Sequence, residues 1–372
     1  MLTQFISIFA LTILLIQWAY ELLLWLAYLK NEEAPTLSNA APISIISCAK
    51  NEAQNIPALL QSLQSQDYST SNKAINFEVI IIDDGSSDTT WQILEAATLK
   101  FPELRIFKSE AFDSPFKGKK KALDIGVRQA QNDLILCIDA DCTPISNQWV
   151  GIMANALLDK ELITGYGAYQ KEKSWTNTLV QWETMHTFFW YQLLSKIGVY
   201  YMAVGRNMGF RKALFLKANQ HPLWQQVPYG DDDLLVRIAA TPKNFGVVSN
   251  PLSYTQSKAP ASLQQWAQQK KRHLSTGKYY RKKAKLILGS YALSQGLWWC
   301  CLLFLWPYCN PLIITLFISR LIAHLILFSA FQKKQNISIG LIKNLQGEFL
   351  WAIYNCIFAP YIFFKNYQSW KS

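Results

Sequence analysis

The sequence is poor in cysteine, and its cysteines follow no recognised spacing. Seven occur in 372 residues, an odd number, and no two of them form a Cys-x-x-Cys pair. Disulfide-stapled domains and cysteine-based zinc modules both depend on regular cysteine spacings. The composition therefore excludes a disulfide framework and a zinc site of that kind.

A glycine-rich phosphate loop is also missing where a dinucleotide-binding fold would need it. The predicted first strand, Ile43–Cys48, continues into Ala49-Lys50-Asn51-Glu52 and not into Gly-x-Gly-x-x-Gly. Because those glycines let the backbone approach a pyrophosphate, a Rossmann dinucleotide site is excluded. No nucleic-acid module is recognisable either, so the formal net charge of +11 indicates anionic lipid headgroups and an anionic substrate as partners.

Charge is nearly absent from residues 2–29, where Glu21 is the single charged side chain. At about 1.5 Å per residue this run can cross a hydrocarbon core of about 30 Å. A cleaved signal peptide fits poorly, because a basic leading segment is missing and the apolar run is too long. Three further apolar runs are present near the C-terminus, at 286–306, 312–331 and 349–364. Together with residues 2–29, they predict one N-terminal and about three C-terminal membrane helices.

Basic residues beside these runs predict their orientation, because Lys and Arg are enriched in cytoplasmic loops. We therefore expect a multi-pass protein of the cell (inner) membrane whose soluble part faces the cytoplasm. The expected domains are a membrane helix over residues 1–30, a cytoplasmic domain over 31–275 that begins with the polar linker Asn31–Ala41, and a basic segment with the remaining helices over 276–372. The basic flanks are Lys278, Arg281, Lys282, Lys283 and Lys285, and then Lys333 and Lys334.

The middle region alternates predicted strands and helices, which indicates an α/β domain with a parallel sheet and right-handed crossovers. Its central segment is the apolar run Leu134–Ile138, which is followed by Asp139 and Asp141. If the strand continues to Asp141, both carboxylates point to one face and repel each other unless a cation lies between them. Mg²⁺ or Mn²⁺ suits such oxygen ligands, and the competing interpretation is a solvated acidic turn.

Polar clusters follow three predicted strands, at the edge where parallel sheets bind ligands. Each cluster alone fits ordinary turn chemistry, but in this order they resemble the family 2 glycosyltransferases. The resemblance covers about residues 42–275 and implies an inverting enzyme with the nucleotide-sugar-binding GT-A fold. The matching segments are Ser47–Glu52, Asp83–Asp88, Gly118-Lys119 with Ala122-Leu123, and Asp139–Asp141.

The resemblance implies a role for each matching side chain. The Asp83–Asp84 pair would contact the uracil or the ribose, and Lys119 would lie near the base or the diphosphate. Asp139 and Asp141 match the metal-binding Asp-x-Asp, which holds Mg²⁺ or Mn²⁺ on the diphosphate of the donor, expected to be a UDP-sugar. The full set expected to bind the nucleotide sugar is Glu52, Asp83, Asp84, Lys119, Asp139, Gln269 and Arg272.

Two further segments resemble family elements but depart from them. Asp231-Asp232 stands where the family has Glu-Asp before a helix, so the expected base is Asp231, or Asp232 if the alignment slips by one residue. Gln269 and Arg272 match Gln-x-x-Arg-Trp, with Gln269 toward the acceptor and Arg272 toward the diphosphate, although a solvated basic helix also fits. His273 replaces the Trp that polymerising members use against the acceptor sugar, which argues against polymer synthesis.

We therefore expect a membrane-anchored, metal-dependent, inverting glycosyltransferase acting on a lipid or lipid-linked acceptor. Two alternatives stay open. A processive polysaccharide synthase would need a translocation channel, for which four spans are few. A non-catalytic nucleotide-sugar-binding membrane subunit is the other, and the intact Asp-x-Asp argues against it.

The apolar segments support two more expectations. Counted from the expected cytoplasmic helix ends, Glu21 and His324 both lie about 11 Å deep and Arg320 about 17 Å deep. We expect Glu21 to pair with Arg320 or His324, the alternative being that each side chain extends to the membrane interface. The aromatic stripe from Trp182 to Ile197 fits either a core helix or a helix at the membrane interface.

Overall fold

The computed structural model describes most of the chain, and the described residues form two compact units, here called the sheet unit and the helical unit. Most of the predicted linker Asn31–Ala41 lies outside the described residues. The described ranges are 2–30, 41–69, 75–305 and 311–364. The sheet unit belongs to residues 33–170 and 200–259, and the helical unit to residues 1–32, 171–199 and 260–365.

The division differs from the contiguous cytoplasmic domain expected over residues 31–275. Two helices within that range, α6 (Trp175–Lys196) and α10 (Leu263–Leu274), belong to the helical unit. The reason is their packing: α6 contacts helices from both ends of the chain, and Trp266 of α10 packs its ring against Tyr354. Local sequence patterns do not reveal such long-range packing.

The sheet unit contains a seven-stranded mixed sheet in the order β3-β2-β1-β4-β8-β6-β9 and a three-stranded sheet in the order β5-β10-β7. The first four strands of the large sheet are mutually parallel, and β8 runs antiparallel to both of its neighbours. The predicted α/β class with parallel crossovers is confirmed. The strands are β1 (Ile43–Ala49), β2 (Phe77–Asp83), β3 (Leu104–Lys108), β4 (Leu134–Cys137), β5 (Cys142–Pro144), β6 (Leu162–Thr164), β7 (Gly167–Tyr169), β8 (Met208–Arg211), β9 (Phe245–Val247) and β10 (Thr255–Ser257).

Apolar, β-branched segments explain why the central strands are buried on both faces. All seven residues of β1 and of β2 are buried, as expected where helices cover both faces of a parallel sheet. Helix α4 packs on both strands, and Gly126 allows its close approach, because a Cβ there would lie 2.7 Å from Ile46 Cγ2. The helices are α2 (Ile56–Gln64), α3 (Thr90–Thr98), α4 (Lys119–Gln129), α5 (Trp149–Asp159), α7 (Lys212–Ala218), α8 (Pro222–Gln226) and α9 (Asp231–Ala239).

Three helices in the described part of the chain are long and apolar enough to cross a membrane, one N-terminal and two C-terminal. The predicted fourth span, 349–364, is not among them. Instead α13 carries Lys343 and Glu348, and Pro360 lies between α13 and α14. The remaining helices of the helical unit are α1 (Leu2–Leu29), α11 (Lys282–Cys300), α12 (Pro311–Lys334), α13 (Leu341–Phe358) and α14 (Tyr361–Phe364).

The aromatic stripe predicted from Trp182 to Ile197 lies mostly on the buried part of α6, and Ile197, just after the helix, is half-buried. Trp182, Phe189 and Leu193 are almost completely buried within the helical unit. Phe189 meets the rings of Phe328 and other α12 residues edge to face, a favoured aromatic geometry. The core interpretation is therefore confirmed.

The predicted pairing of Glu21 with the third span is confirmed. Glu21 Oε2 lies 3.0 Å from His324 Nδ1 and 3.7 Å from Arg320 Nη2. All three side chains are completely buried, which excludes the alternative in which each extends to an interface.

Removing one partner of this ion pair is expected to cost more stability than removing both. Glu21→Gln or Arg320→Gln alone should lower the free energy of unfolding by about 3–5 kcal/mol, because one buried charge is left unpaired. The double variant should be more stable than either single variant. Thermal unfolding in detergent measures the stability of the wild type, the two single variants and the double variant, which together form a double-mutant cycle. If the two single losses of stability simply add up in the double variant, the side chains are not directly coupled.

Candidate functional site

The carboxyl ends of the parallel strands bring the first two polar clusters together. Ala49 at the end of β1 lies opposite Asp83 at the end of β2, and the Asp84 amide donates to the Ala49 carbonyl at 2.8 Å. Asn51 adopts a left-handed backbone with φ 55°. Its side-chain oxygen accepts from the Ser87 amide at 2.8 Å, so the two loops hold each other in place.

The three acidic side chains of these loops have different environments. Glu52 is buried and accepts from Asn55 Nδ2 at 2.6 Å. Asp83 is buried and accepts from the Ser86 amide and hydroxyl. Asp84 accepts from Ser109 Oγ at 2.9 Å, and burial raises its carboxyl pKa despite that hydrogen bond. Glu52 and Asp83 thus order the loops, and contact with a nucleotide remains a prediction for all three carboxylates.

The acidic segment after β4 is a turn and not a continued strand. Strand β4 ends at Cys137, so the expectation that Asp139 and Asp141 share one face of a strand is wrong. The Cys142 amide donates to the Asp139 carbonyl at 3.0 Å and closes the turn. The turn still brings the two aspartates together, because one ligand atom from each of Asp139, Asp141 and Cys142 lies within 4.8 Å of the others.

The chemistry of this turn fits a hard divalent cation. Desolvation and the negative charge of Asp139 raise the pKa of Asp141, and a cation between the carboxylates would relieve that repulsion. Burial raises the pKa of the Cys142 thiol well above its ordinary value, and the thiol donates to Asp141 Oδ1 at 3.3 Å. The oxygens of Asp139 and Asp141 are therefore the fitting ligands for Mg²⁺ or Mn²⁺.

Lys119 connects this turn to the beginning of α9. Its ammonium donates to Asp139 Oδ1 at 2.6 Å. Burial lowers the pKa of Lys119, but the carboxylates of Asp139 and Asp231 outweigh burial and hold it well above its ordinary value. The Gly205 amide donates to Asp232 Oδ2 at 3.1 Å, and a Cβ on Gly205 would lie 3.6 Å from Lys119 Nζ. The charge of Lys119 thus interacts with Asp139 and Asp141 in the turn after β4 and with Asp231 and Asp232 in the first turn of α9.

The two candidate bases occupy the first turn of α9, which follows Gly230 in a left-handed conformation (φ 71°). Both oxygens of Asp232 accept backbone hydrogen bonds, from Gly205 at 3.1 Å and from Asp233 at 2.9 Å. Desolvation and the charge of Asp231 raise the pKa of Asp232 to about 6. Among the described residues, the Asp231 carboxylate accepts no hydrogen bond from protein, unlike that of Asp232.

A step near pH 6 is expected in the pH profile of kcat/KM, because Asp232 takes up a proton as the pH falls through about 6. Protonation weakens the acceptor of the Gly205 amide and removes a negative charge beside Lys119, so kcat/KM should fall about tenfold to a lower plateau. Asp232→Asn imitates the protonated form and should show the low plateau without the step. If Asp232→Asn still shows the step near pH 6 at saturating Mn²⁺, the step belongs to another titrating group.

Arg206 belongs to the site but was not selected from the sequence. Its Nη1 donates to Ser257 Oγ at 3.0 Å, its Nη2 donates to the Gly167 carbonyl, and its guanidinium lies 4.2 Å from the Tyr169 ring centre. Its charge interacts with Asp141. The strands that hold Arg206, β7 and β10, are three residues long and give little sequence signal.

Gly167→Ala is expected to lower activity by displacing Arg206, because a Cβ at residue 167 would lie 2.3 Å from Arg206 Nε. We expect a loss of kcat/KM of about tenfold, equivalent to about 1.4 kcal/mol of transition-state stabilisation. Gly151→Ala is the matched control, since its Cβ would meet Tyr68 at an ordinary 3.7 Å. Equal activity of the two variants would show that the position of Arg206 is unimportant.

Gln269 and Arg272 lie one turn apart on α10, which belongs to the helical unit. The structure therefore does not group them with the aspartates of the sheet unit. Helix α10 is anchored through the buried Trp266 and an ion pair from Lys270 to Glu183. The proposed roles of Gln269 and Arg272 in donor and acceptor binding remain predictions.

The mixed α/β sheet carries an acidic turn at the carboxyl edge of its parallel strands, as GT-A folds do. A mannosyltransferase from Pyrobaculum calidifontis, solved in complex with GDP-Man and Mn²⁺, aligns with a TM-score of 0.55 at 16% identity, over 95% of this chain and 99% of that one. The chain belongs to the family 2 glycosyltransferases: residues 134–364 match glycosyl transferase family group 2, and residues 44–217 match glycosyl transferase family 2. The family and fold predicted from the sequence are confirmed.

Two relatives illustrate the similarity. A beta-monoglucosyldiacylglycerol synthase from Synechocystis is 26% identical over 236 residues, which cover 59% of this chain and 46% of the relative. Glycosyltransferase AglE from Haloferax volcanii is 30% identical over 108 residues, covering 29% of this chain and 33% of the relative. The chain thus spans less than half the length of these relatives.

Proposed function

We propose that this protein transfers a sugar from a nucleoside-diphosphate sugar, with inversion, to a lipid or lipid-linked acceptor at the cytoplasmic face of a membrane. The observation that carries the proposal is the cluster at the carboxyl edge of the sheet, where Asp139 and Asp141 lie close together, Lys119 contacts Asp139, and α9 begins with Asp231 and Asp232. The donor proposed from the family resemblance is a UDP-sugar.

The residues of the sheet unit can meet the demands of this reaction. The acceptor hydroxyl donates its proton to the Asp231 carboxylate, its oxygen bonds to the anomeric carbon, and the bond from that carbon to the diphosphate oxygen breaks. Lys119 offsets negative charge that develops on the departing diphosphate. When bound, Mg²⁺ or Mn²⁺ held by Asp139 and Asp141 supplies further charge neutralisation there. Asp232 accepts the Gly205 amide and adds negative charge beside Lys119.

The membrane setting and the acceptor class are supported by two further observations. Three helices are long and apolar enough to cross a membrane, and basic residues flank two of them, which the positive-inside rule places in the cytoplasm. The synthase from Synechocystis is named for a glycolipid product. Both favour an acceptor that reaches the site from the bilayer.

The proposal is tested with the full chain purified in detergent. Nucleotide release is measured for UDP-, GDP- and TDP-sugars with Mg²⁺ or Mn²⁺, and lipid extracts incubated with the productive donor are analysed by mass spectrometry. We expect release from one donor class and a glycolipid one sugar heavier than its acceptor. Absence of nucleotide release from every donor would support a binding subunit, and a ladder of products would support a processive synthase.

A further inference from the structure

Four completely buried ionisable side chains from four different helices meet inside the helical unit. They are Glu21 of α1, His186 of α6, His324 of α12 and Glu348 of α13. Ionisable groups in apolar helical surroundings are costly and normally serve a function. The pairing of Glu21 with Arg320 and His324 explains the burial of two of these four side chains. None of the four takes part in the proposed sugar transfer.

Three of these side chains direct ligand atoms toward one another. Single ligand atoms of His186, His324 and Glu348 all lie within 4.8 Å of each other. Glu348 Oε1 is 2.9 Å from His324 Nε2 and 3.7 Å from His186 Nε2. Within the described residues, neither His324 Nε2 nor Glu348 Oε1 makes a hydrogen bond. The two atoms are therefore close without the alignment of a hydrogen bond.

Both imidazoles are held in states that suit a ligand. His324 Nδ1 lies 3.0 Å from Glu21 Oε2; in the tautomer whose Nδ1–H donates to this carboxylate, the lone pair is on Nε2. The indole N–H of Trp190 donates to His186 Nε2 at 3.1 Å, so this nitrogen carries the lone pair, and a metal ion bound there would replace the indole N–H. The Trp182 ring, stacked at 4.8 Å, fixes the orientation of His186.

The surrounding contacts follow the pattern of an outer ligand shell. A carboxylate behind a metal-binding histidine fixes its ring, and ligating carboxylates are themselves hydrogen-bonded. Here Glu21 lies behind His324, and Gln295 Nε2 donates to Glu348 Oε2 at 2.8 Å. Arg320 in turn lies 3.7 Å from Glu21. Two carboxylates and one guanidinium leave one negative charge, which either a proton on His324 or a bound cation would balance.

We propose that His186, His324 and Glu348 form a transition-metal site within the helical unit, distinct from the acidic turn of the sheet unit. Two nitrogens and one carboxylate oxygen suit Zn²⁺ better than Mg²⁺, which prefers oxygen ligands. Because the ligands come from α6, α12 and α13, the ion would join α6 to two consecutive helices near the other end of the chain. Its role is structural, so its loss should lower the stability of the protein.

Metal content of the full chain, purified in detergent without a histidine tag and washed with Mg²⁺, tests the proposal. Elemental analysis should find about one zinc per chain in the wild type and in Asp139→Asn/Asp141→Asn. The zinc should be lost in Glu348→Gln and His186→Asn. Asn344→Ala is the matched control, because Asn344 joins the same helices α12 and α13 through Gln332; it should lower stability but keep the zinc.

Titration of the chelator-treated wild-type chain with Co²⁺ provides a test that does not depend on any variant folding. Visible absorption bands of low-symmetry, nitrogen-coordinated Co²⁺ are expected, together with a raised unfolding temperature. A folded wild-type chain without zinc, without these bands and without a stability response to a chelator would overturn the proposal. The cluster would then be held by a proton on His324 between two carboxylates.

Discussion

Asp141→Asn is expected to abolish sugar transfer and to leave the fold intact. An amide cannot neutralise a divalent cation, and Lewis-acid stabilisation of a leaving diphosphate is worth several kcal/mol. Since about 1.4 kcal/mol corresponds to tenfold, the loss in kcat should be about 10³-fold or more. Asp141 lies in a surface turn, where the Cys142 thiol donates to its Oδ1, so little packing is lost.

Two measurements separate this loss from damage to the protein. Circular dichroism and the unfolding temperature of the variant should match those of the wild type, while Mn²⁺-dependent donor binding is weakened. Asp159→Asn is the matched control, because Asp159 is exposed at the end of α5 and should keep full activity. Full activity of Asp141→Asn at ordinary Mn²⁺ concentrations would remove the acidic turn from the mechanism.

Asp231→Asn is expected to lower the transfer rate by at least about 10²-fold, the usual contribution of a general base. Donor binding should be retained, because the base acts on the acceptor hydroxyl. Asp232→Asn should cost only about tenfold, since its oxygens already accept the amides of Gly205 and Asp233 and its role is to position the site.

Single-turnover kinetics with saturating donor distinguish the two aspartates. If the base is instead Asp232, the order of the two losses is reversed. Equal and mild losses in both variants would exclude this segment from proton transfer. A larger donor dissociation constant in Asp231→Asn would place that carboxylate at the donor instead.

Local sequence patterns were sufficient to predict the elements whose burial is evident from their own composition. The apolar segments that became β1 and β2 are buried at every position, so their strand character and parallel pairing could be predicted. The pairing of Glu21 with His324 could also be predicted, because helical rise alone places both at one depth. The polar clusters at the strand ends followed from the same reasoning, since parallel strands share a carboxyl edge.

Other features depended on which segments pack together. An Asp-x-Asp spacing fits either a strand or a turn. Because β4 ends at Cys137, the two aspartates lie in a turn. Arg206 is held by β7 and β10, strands too short to be recognised locally.

The sequence by itself therefore determined the family, the fold class and the edge of the sheet that carries the acidic residues. Tertiary structure alone decided that α6 and α10 join the helical unit and that His186 lies beside Glu348. The physical reason is that periodicity reveals which face of a segment is apolar, whereas the partner of that face is chosen by packing among all segments at once.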